Sequence, residues 1–320
     1  MRLINWDGVT PLSRPEWPAL EAGKLEGDAP DQHWQFWDGD QRMARASVWF
    51  HGPKLEGSAR TGLIGHYAAQ SREAGRAMLE SACERLRGAG CDMAIGPMDG
   101  STWKSYRLVS DAGNEPSFFL EPRNPHDWNA HFLESDFDVL ASYHSSLSLD
   151  PAPDPRVPDV RARLLKNGIT TRTANPARLE AELSELFEVA LESFSENFLY
   201  TPISEEAFLQ LYQPLLSQLP PQFVRIAEHD GRAVGFAFAV PDMLRSERDT
   251  LILKTVGVRR GRIYAGLGRL LGDELHDLAR AAGMPRVIHA LMYDANVSAN
   301  SSARTSEVIR RYALYARKLT

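Results

Sequence analysis

The second half of the chain alternates between stretches with strand periodicity and stretches with helix periodicity. GITTRTA has the pattern of a short strand, and after Asn175-Pro176 apolar residues recur at the spacing of a helix. FVRIAEHDGRAVGFAFAVPD predicts two strands joined at Asp230-Gly231, because Asp-Gly favours tight hairpin turns. Four further elements follow: a strand (LILKTVGV), a helix ending at Gly283 (GLGRLLGDELHDLARAAG), a strand (RVIHALMYD) and a last helix (SEVIRRYALYARKL).

The first half repeats part of this order. RMARASVWFHG and TGLIGHYAAQ predict paired strands, SREAGRAMLESACERLRGAG a helix and CDMAIGPM a strand. Residues 65–98 and residues 254–292 have the same sequence of strand, helix, Ala-Gly and strand. This repetition indicates a divergent internal duplication, so each half is expected to be a mixed α/β (α+β) domain.

The clearest break in the chain is DPAPDPRVPDV, residues 150–160, whose four prolines fix φ and remove backbone donors. A chain of 320 residues is long enough for about two domains. We therefore expect a first domain over 1–150, a Pro-rich linker and connecting helix over 151–167, and a second domain over 168–320.

Charge and cysteine content narrow the function classes. The chain has 36 basic and 42 acidic side chains, a formal charge of −6, and no concentrated basic run, which disfavours nucleic-acid binding. No apolar run approaches the roughly 18 residues of a membrane span, and the first residues lack the layout of a signal peptide. The two cysteines, Cys83 and Cys91, are too few for a disulfide framework or a zinc site. We expect a cytoplasmic protein without nucleic-acid, membrane or metal partners.

The stretch VGVRRGRIYAGLGRLL carries the clearest candidate chemistry. Gly266 and Gly268 bracket the start of a predicted helix, whose first amides have no partner within the helix. Those amides and the positive end of the helix dipole form an anion site. Three arginines would add positive charge beside it: Arg259, Arg260 and Arg262. The alternative is that the glycines only allow a tight strand-to-helix turn. The stretch lacks both the Gly-Lys-Ser/Thr of a P-loop and the spacing of a dinucleotide fingerprint.

The register from Val258 to Gly268, VRRGRIYAGLG, resembles the signature loop of the GCN5-related N-acetyltransferases, the GNAT superfamily. In those proteins an Arg/Gln-x-x-Gly-x-Gly/Ala segment wraps the pyrophosphate of acetyl-coenzyme A. The element order of the second half is also similar to that fold, and Asn296 follows the next strand as a late Asn does in the family. One departure is the first motif position, which is Ile263 here, with the nearest arginine at Arg262.

The resemblance implies two tandem GNAT-like domains, each a mixed, mostly antiparallel sheet flanked by helices. In layout this is similar to mycothiol synthase, although no residue indicates that substrate. The first-half turn AAQSREAGRAMLE has no Gly-x-Gly and is too short to form the loop. We therefore expect the first domain to be a degenerate copy without an intact cofactor loop.

The resemblance also implies the binding residues. Amides from Ala265 to Gly268 would hold the pyrophosphate, and backbone groups of Val256 and Val258 would pair with the pantetheine arm as an added strand pairs with a sheet edge. The implied cofactor-binding set is Val256, Val258, Arg259, Arg260, Ile263, Ala265, Gly266, Leu267, Gly268 and Asn296. Acetyl-coenzyme A is the expected cosubstrate, with no metal.

In the superfamily an amine attacks the thioester carbonyl directly, and a tyrosine on the last helix often serves as the acid. The candidates here are Tyr312 and Tyr315, one helical turn apart; the alternative is that each packs its helix onto the sheet. The candidate bases are Glu228, Asp242 and His289. Lys254, in a central strand, faces either the acceptor pocket or the sheet edge.

The segment SFSENFLYTPISEEAF, residues 193–208, falls in the region that lines the acceptor pocket in GNAT proteins. Phe194, Phe198 and Tyr200 would make an aromatic wall for a sizeable acceptor or an ordinary helix-loop-helix core. The implied function is acyl-coenzyme A dependent N-acyl transfer, and specifically N-acetyl transfer to a small amine. Two alternatives stay open: a non-catalytic coenzyme A binding scaffold, and an N-acyltransferase that uses a longer acyl chain. A monomer is expected, with a homodimer as the alternative.

Overall fold

The computed structural model of the chain describes residues 2–5, 17–295 and 306–319. These residues form two compact units. The first unit contains residues 2–5, 17–115, 121–144 and 310–319, and the second contains residues 116–120, 145–295 and 306–309. The strand at the end of the chain therefore contributes mainly to the first unit, whereas the sequence analysis placed residues 168–320 in the second domain.

The helices and strands are numbered along the chain. The strands of the described residues are β1 (Arg2–Asn5), β2 (Gln32–Asp38), β3 (Gln41–Trp49), β4 (Thr61–Ala69), β5 (Met93–Gly96), β6 (Leu108–Asp111), β7 (Asp138–Leu149), β8 (Ile169–Thr173), β9 (Val224–His229), β10 (Arg232–Pro241), β11 (Thr250–Val258), β12 (Arg286–Tyr293) and β13 (Glu307–Lys318). The α-helices are α1 (Ala22–Asp28), α2 (Arg72–Gly88), α3 (Trp128–Leu133), α4 (Val157–Lys166), α5 (Leu179–Phe194), α6 (Glu205–Leu216) and α7 (Leu267–Ala281). None of these helices is long and apolar enough to cross a membrane.

The first unit is a sheet in the order β1-β2-β3-β4-β5-β13, in which β4 and β5 run parallel and the other neighbours run antiparallel. The predicted strand pair, helix and following strand are confirmed as β3, β4, α2 and β5. Helix α2 begins after Ser71, whose hydroxyl accepts the amide of Ala74 at 3.2 Å. Its apolar face, including Met78, Leu79 and Cys83, is fully buried against the sheet. Burial raises the pKa of the Cys83 thiol to about 12, so this thiol is unreactive at neutral pH.

The second unit is a sheet in the order β12-β11-β10-β9-β8, with the end of β7 beside β12. Strands β11 and β12 are parallel, whereas β8 to β11 pair antiparallel. The predicted hairpin is confirmed: Asp230 and Gly231 both have positive φ, at 50° and 73°, as a two-residue turn requires. Helix α7 buries its leucines against this sheet. The proline-rich stretch is not extended throughout, because α4 begins at Val157 with Pro158 in its first turn.

The predicted last helix is wrong, because Glu307–Lys318 form strand β13. The run has apolar residues at helical spacing, but nearly all residues from Ile309 to Ala316 are buried. They lie in a strand that pairs with β5 and β6 and has β7 as its other neighbour in the sheet. A strand covered on both faces loses the alternation that would distinguish it from a helix. Tyr312 and Tyr315 are therefore strand residues of the first unit.

A buried ion pair holds β13 in the first unit. Arg310 Nε donates to Glu121 Oε1 at 2.7 Å, and the Tyr312 hydroxyl donates to the same oxygen at 2.8 Å. The side chains of Arg310 and Glu121 are only 4% and 1% exposed. Burying this pair is costly, but breaking it is costlier, because one charge then stays buried without its counter-charge.

We expect Glu121→Gln to destabilise the protein by about 3–5 kcal/mol, because it removes the negative charge opposite the Arg310 guanidinium. Urea unfolding followed by tryptophan fluorescence measures the loss. Glu80→Gln is the matched control: Glu80 pairs with Arg317 of the same strand, but its side chain is 48% exposed, so the expected loss is below about 1 kcal/mol. Equal losses in the two variants would contradict this assignment.

Candidate functional site

Strands β11 and β12 separate part of the way along their length. Residues Thr250–Leu253 of β11 pair with Arg286–His289 of β12, although β11 continues to Val258 and β12 to Tyr293. The separation begins at a β-bulge. Phe238 of β10 pairs with Thr255 and Ala239 with Leu253, so Lys254 is an extra residue on β11. Beyond the bulge, β11 has an edge without a β12 partner.

The backbone groups of Val256 and Val258 face this open edge. The Arg259 amide donates to the Val234 carbonyl at 2.8 Å and therefore points toward β10. Successive residues of a strand direct their amides to opposite edges, so the amides of Val258 and Val256 point the other way. The Val258 amide donates to the Ser193 hydroxyl at 3.1 Å. The two valines predicted to pair with a pantetheine arm thus lie on the free edge.

The loop after β11 leads directly into the first turn of α7. Gly266 precedes the helix with no side-chain cap, and the Leu270 amide donates to the Gly266 carbonyl at 3.0 Å. The amides of Leu267 and Gly268 therefore lie in the turn that has no acceptor within the helix. A Cβ on Gly268 would lie 3.4 Å from the Val256 side chain and 3.6 Å from that of Val258. The helix amides and the open edge of β11 are consequently adjacent.

The local structure alone explains why residue 266 is a glycine. Its φ is +81°, and a Cβ there would approach Val160 of α4 to 3.0 Å. Arg163 of α4 also donates to the Ala265 carbonyl, which fixes α4 behind the loop. At Gly266 the tight-turn interpretation therefore holds whether or not the loop binds a ligand. It does not explain Gly268, where φ is ordinary and the space fits a Cβ.

The expectation that Arg259 and Arg260 add free positive charge is not met. The Arg259 guanidinium contacts Glu192 at 2.7 Å and Glu188 at 3.0 Å. The Arg260 amide donates to Glu192 at 2.8 Å, and its guanidinium pairs with Glu196. These contacts, first with the Arg260 amide and then with Arg259, lower the pKa of Glu192. Glutamates on and just after α5 thus neutralise both arginines, while Arg262 is exposed.

The three candidate bases occupy different environments. Glu228 accepts Arg172 Nε at 2.7 Å, and Asp242 Oδ1 accepts the amides of Phe119 and Leu244 at 3.0 Å each. Burial, and then the neighbouring His276, lower the pKa of His289 to about 3. This imidazole is therefore neutral and too weak a base to hold a proton at neutral pH. Glu228 and Asp242 already serve as partners that stabilise the fold.

The candidate acids lie in the first unit. Tyr315 donates to Asn129 Oδ1 at 2.7 Å and Tyr312 donates to Glu121, and both rings are buried. Burial raises the pKa of Tyr315 to about 12. Being three residues apart on a strand, the two side chains point to opposite faces rather than sharing a helical one. Their catalytic role stays a prediction, and Asn296 lies outside the described residues.

The aromatic segment after α5 contacts the sheet at two points. The Phe194 ring lies 6.4 Å from Phe236 of β10, and Phe198 stacks on Tyr293 of β12 with ring centroids 5.4 Å apart. Both rings are half-buried. Sequence reasoning missed Ser193 and Glu192, the neighbouring residues that contact β11 and its loop. The sequence signal that could have indicated their role is the spacing of Glu188, Glu192 and Glu196, which are four residues apart and match the later pair of arginines at 259–260.

We expect Gly266→Ala to cost about 1–2 kcal/mol of stability, because alanine is strained at positive φ and its methyl group would crowd Val160. Gly272→Ala is the control on the same helix. It has ordinary φ and no atom within 4 Å of its Cβ position, so it is expected to stabilise by about 0.5–1 kcal/mol. Thermal unfolding of both variants measures the difference. A Gly266→Ala protein as stable as the parent would refute the proposed constraint at the loop.

Comparisons with known proteins support the fold more strongly than any one activity. No protein-family model matches the chain. A bacterial ceramide synthase from Caulobacter vibrioides is 24% identical over 167 residues, which are 52% of this chain and 44% of that protein. The chain therefore matches less than half the length of this curated relative.

Solved structures match over almost the whole chain. A tandem GNAT protein from the clavulanic acid biosynthesis pathway aligns with a TM-score of 0.54 at 13% identity, over all of this chain and 98% of that one. A GCN5-related N-acetyltransferase from Sphaerobacter thermophilus gives 0.53 at 15% identity, over 90% and 80%. A glucosamine N-acetyltransferase region in a fungal multi-domain β-N-acetylglucosaminidase gives 0.58 at 15% identity, over 98% and 38%. At these identities the likeness establishes the fold, and the chain has the tandem fold of the GCN5-related N-acetyltransferases.

Proposed function

We propose that the second unit binds an acyl-coenzyme A and transfers its acyl group to an amine, with acetyl-coenzyme A and a small amine as the first candidates. The observation that carries this proposal is the separation of β11 from β12, where an open strand edge leads into a glycine loop at the first turn of α7. A pantetheine arm carries amides that can pair with a strand edge, and a pyrophosphate suits unpaired helix amides. The site therefore fits both chemical parts of coenzyme A.

The residues that would hold the cofactor follow from this placement. Backbone groups of Val256 and Val258 would pair with the pantetheine amides, and the amides of Leu267 and Gly268 would donate to the pyrophosphate. Gly268 adds no side chain of its own beside these amides, and its Cβ position faces the side chains of Val256 and Val258. Arg262, exposed beside the loop, is the arginine best placed to add positive charge.

The proposed chemistry needs no protein nucleophile. The amine nitrogen bonds to the thioester carbonyl carbon and gives up one proton, the carbon–sulfur bond breaks, and coenzyme A leaves as a thiolate that takes up a proton. The protein contributes mainly by holding the two reactants in a reactive orientation. Tyr312 and Tyr315 remain candidates for the acid by resemblance alone, since both hydroxyls donate to partners in the first unit.

We expect Gly268→Asp to weaken coenzyme A binding at least about tenfold relative to Gly268→Asn, because only the former places a negative charge beside the pyrophosphate. Asp and Asn have the same size, so any cost of side-chain bulk appears in both variants. A carboxylate near the start of a helix also favours the helix, so lost binding would not reflect lost folding.

Titration calorimetry of both variants and the parent protein with coenzyme A measures these affinities. One site per chain with micromolar affinity is expected for the parent. Equal affinities of the Asp and Asn variants would place the pyrophosphate elsewhere. Absence of binding to the parent by coenzyme A, acetyl-coenzyme A and longer acyl-coenzyme A would overturn the proposed function.

A second candidate is transfer of a longer acyl chain to a lipid amine. It is favoured by the partial similarity to a bacterial ceramide synthase, since a ceramide is the amide of a fatty acid with a long-chain amino alcohol. The half-buried rings of Phe194, against β10, and Phe198, against β12, would offer apolar surface to such chains.

Release of free thiol from acetyl- and palmitoyl-coenzyme A, each with ethanolamine or sphinganine, separates these possibilities. We expect thiol release from acetyl-coenzyme A with the short amine. A preference of about tenfold or more for the palmitoyl and sphinganine pair would instead select the second candidate, since such a ratio corresponds to about 1.4 kcal/mol of transition-state stabilisation. Binding without thiol release in any pair would support the non-catalytic scaffold.

A further inference from the structure

Residues at the end of α5 form hydrogen bonds with the junction between β11 and the glycine loop. The Ser193 hydroxyl accepts the Val258 amide at 3.1 Å. The adjacent Glu192 accepts the Arg260 amide at 2.8 Å through one carboxylate oxygen, and the Arg259 guanidinium at 2.7 Å through the other. Two consecutive side chains therefore take up two backbone amides and one positive charge at the start of the loop.

The Val258 amide is one of the groups that the proposed function assigns to the pantetheine arm. An amide has a single hydrogen, and it makes one well-aligned hydrogen bond at a time. The Ser193 hydroxyl and a pantetheine carbonyl therefore exclude each other at this position. The hydroxyl of Ser193, half-buried near the end of α5, is also easier to displace than a neighbouring strand, because only a side chain has to leave.

We infer that Ser193 takes the place of a pantetheine carbonyl in the free protein, and that the end of α5 must release Val258 before coenzyme A is fully bound. This inference rests on the proposed function of the second unit. It makes residues 192–198, here called the strap, an internal competitor of the cofactor.

Contacts at the two ends of the strap place it across the opening. Its first residues contact β11 and the loop through Glu192 and Ser193, and its last residue, Phe198, stacks on Tyr293 of β12 at 5.4 Å. The strap therefore reaches from one separated strand to the other. A cofactor arm that lies along the open edge of β11 would have to pass this segment.

The ion pair between the strap and Arg260 is weak enough to let the strap leave the loop. The Arg260 and Glu196 side chains are 47% and 79% exposed, so water already competes for their pairing. Once the strap withdraws, the Arg260 guanidinium, which pairs with Glu196 and Ser195, can pair with the pyrophosphate, while Arg259 keeps its contacts with Glu188 and the Ala233 carbonyl. The strap glutamates then act as stand-ins for phosphate charge, as Ser193 does for a carbonyl. The fraction of molecules with a released strap would set the apparent affinity.

The direct test compares Ser193→Ala with Ser217→Ala in titrations with coenzyme A. Ser217 is the matched control, because it lies at the end of α6 and donates to the Pro214 carbonyl of its own helix. Removing the competing hydroxyl is expected to tighten coenzyme A binding about threefold to tenfold, the range of one exchanged hydrogen bond. Ser217→Ala is expected to bind like the parent. Adenosine 3′,5′-bisphosphate, which lacks the pantetheine carbonyl that would replace Ser193, is expected to gain less affinity from Ser193→Ala than coenzyme A does.

Hydrogen exchange of the unmodified protein gives a second readout that does not depend on a variant. Adding coenzyme A is expected to speed exchange in residues 192–198 while slowing it in residues 256–268. Unchanged exchange in the strap, or weaker binding by Ser193→Ala, would overturn the inference and leave the proposed function standing. If coenzyme A bound neither the parent nor Ser193→Ala, both the inference and the proposed function would fail.

Discussion

The site in the second unit depends on one constraint: backbone amides in the middle of its sheet lack a neighbouring strand and need other hydrogen-bond acceptors. The bulge at Lys254 turns β11 away from β12, and every amide on the edge beyond it needs another acceptor or water. The structure meets part of this demand with the Ser193 hydroxyl at Val258. A ligand with its own amides and carbonyls can meet it more completely, because it can pair along the edge as a strand does. The same irregularity that weakens the sheet thus creates the binding edge.

The first unit meets the same demand with its own side chains. Strands β4 and β5 also pair in parallel over a short stretch, Thr61–Leu63 with Met93–Ile95. Strand β4 also carries an extra residue, because Ala46 of β3 faces both His66 and Tyr67. Here the His66 amide donates to Asp99 Oδ1 at 2.7 Å. The opening that the second unit leaves along β11 is therefore filled in the first unit by a carboxylate.

Further charges surround that carboxylate. The Lys24 ammonium lies 3.1 Å from Asp99 and 2.7 Å from Asp28, and the His66 ring contacts Asp28 at 2.9 Å. Only Gln70 and Ser71 join β4 to α2, so no loop is available to enclose a pyrophosphate. The duplication inferred from element order is visible in the backbone of both units. The two units differ in the length of the strand-to-helix loop and in the partner of the bulged strand, which is a carboxylate at His66 and a hydroxyl at Val258. No local pattern in the sequence reveals the second difference.

The sequence predicted correctly those elements that depend only on neighbouring residues. Asp230-Gly231 specified its hairpin, and the loop leading to Gly268 was located from the strand before it, its glycines and its resemblance to the GNAT signature loop. The last strand was mistaken for a helix because burial on both faces removes the period of two. Ser193 and Glu192 could not be assigned, since their roles depend on where α5 packs, some 65 residues before the backbone amides they contact. For the same reason, Arg259 and Arg260 were expected to carry free charge.

The two glycines of the loop carry different weight as indications of function. Gly266 is favoured even without a ligand, because its positive φ and the nearby Val160 disfavour a side chain. Gly268 has neither restriction, yet glycine within a helix costs about 1 kcal/mol relative to alanine. Gly272 is equally unconstrained one turn later, so an unneeded glycine alone does not identify a site. Gly268 differs because it lies in the turn with free amides and against the two valines of the open edge, where a bare backbone benefits an approaching phosphate.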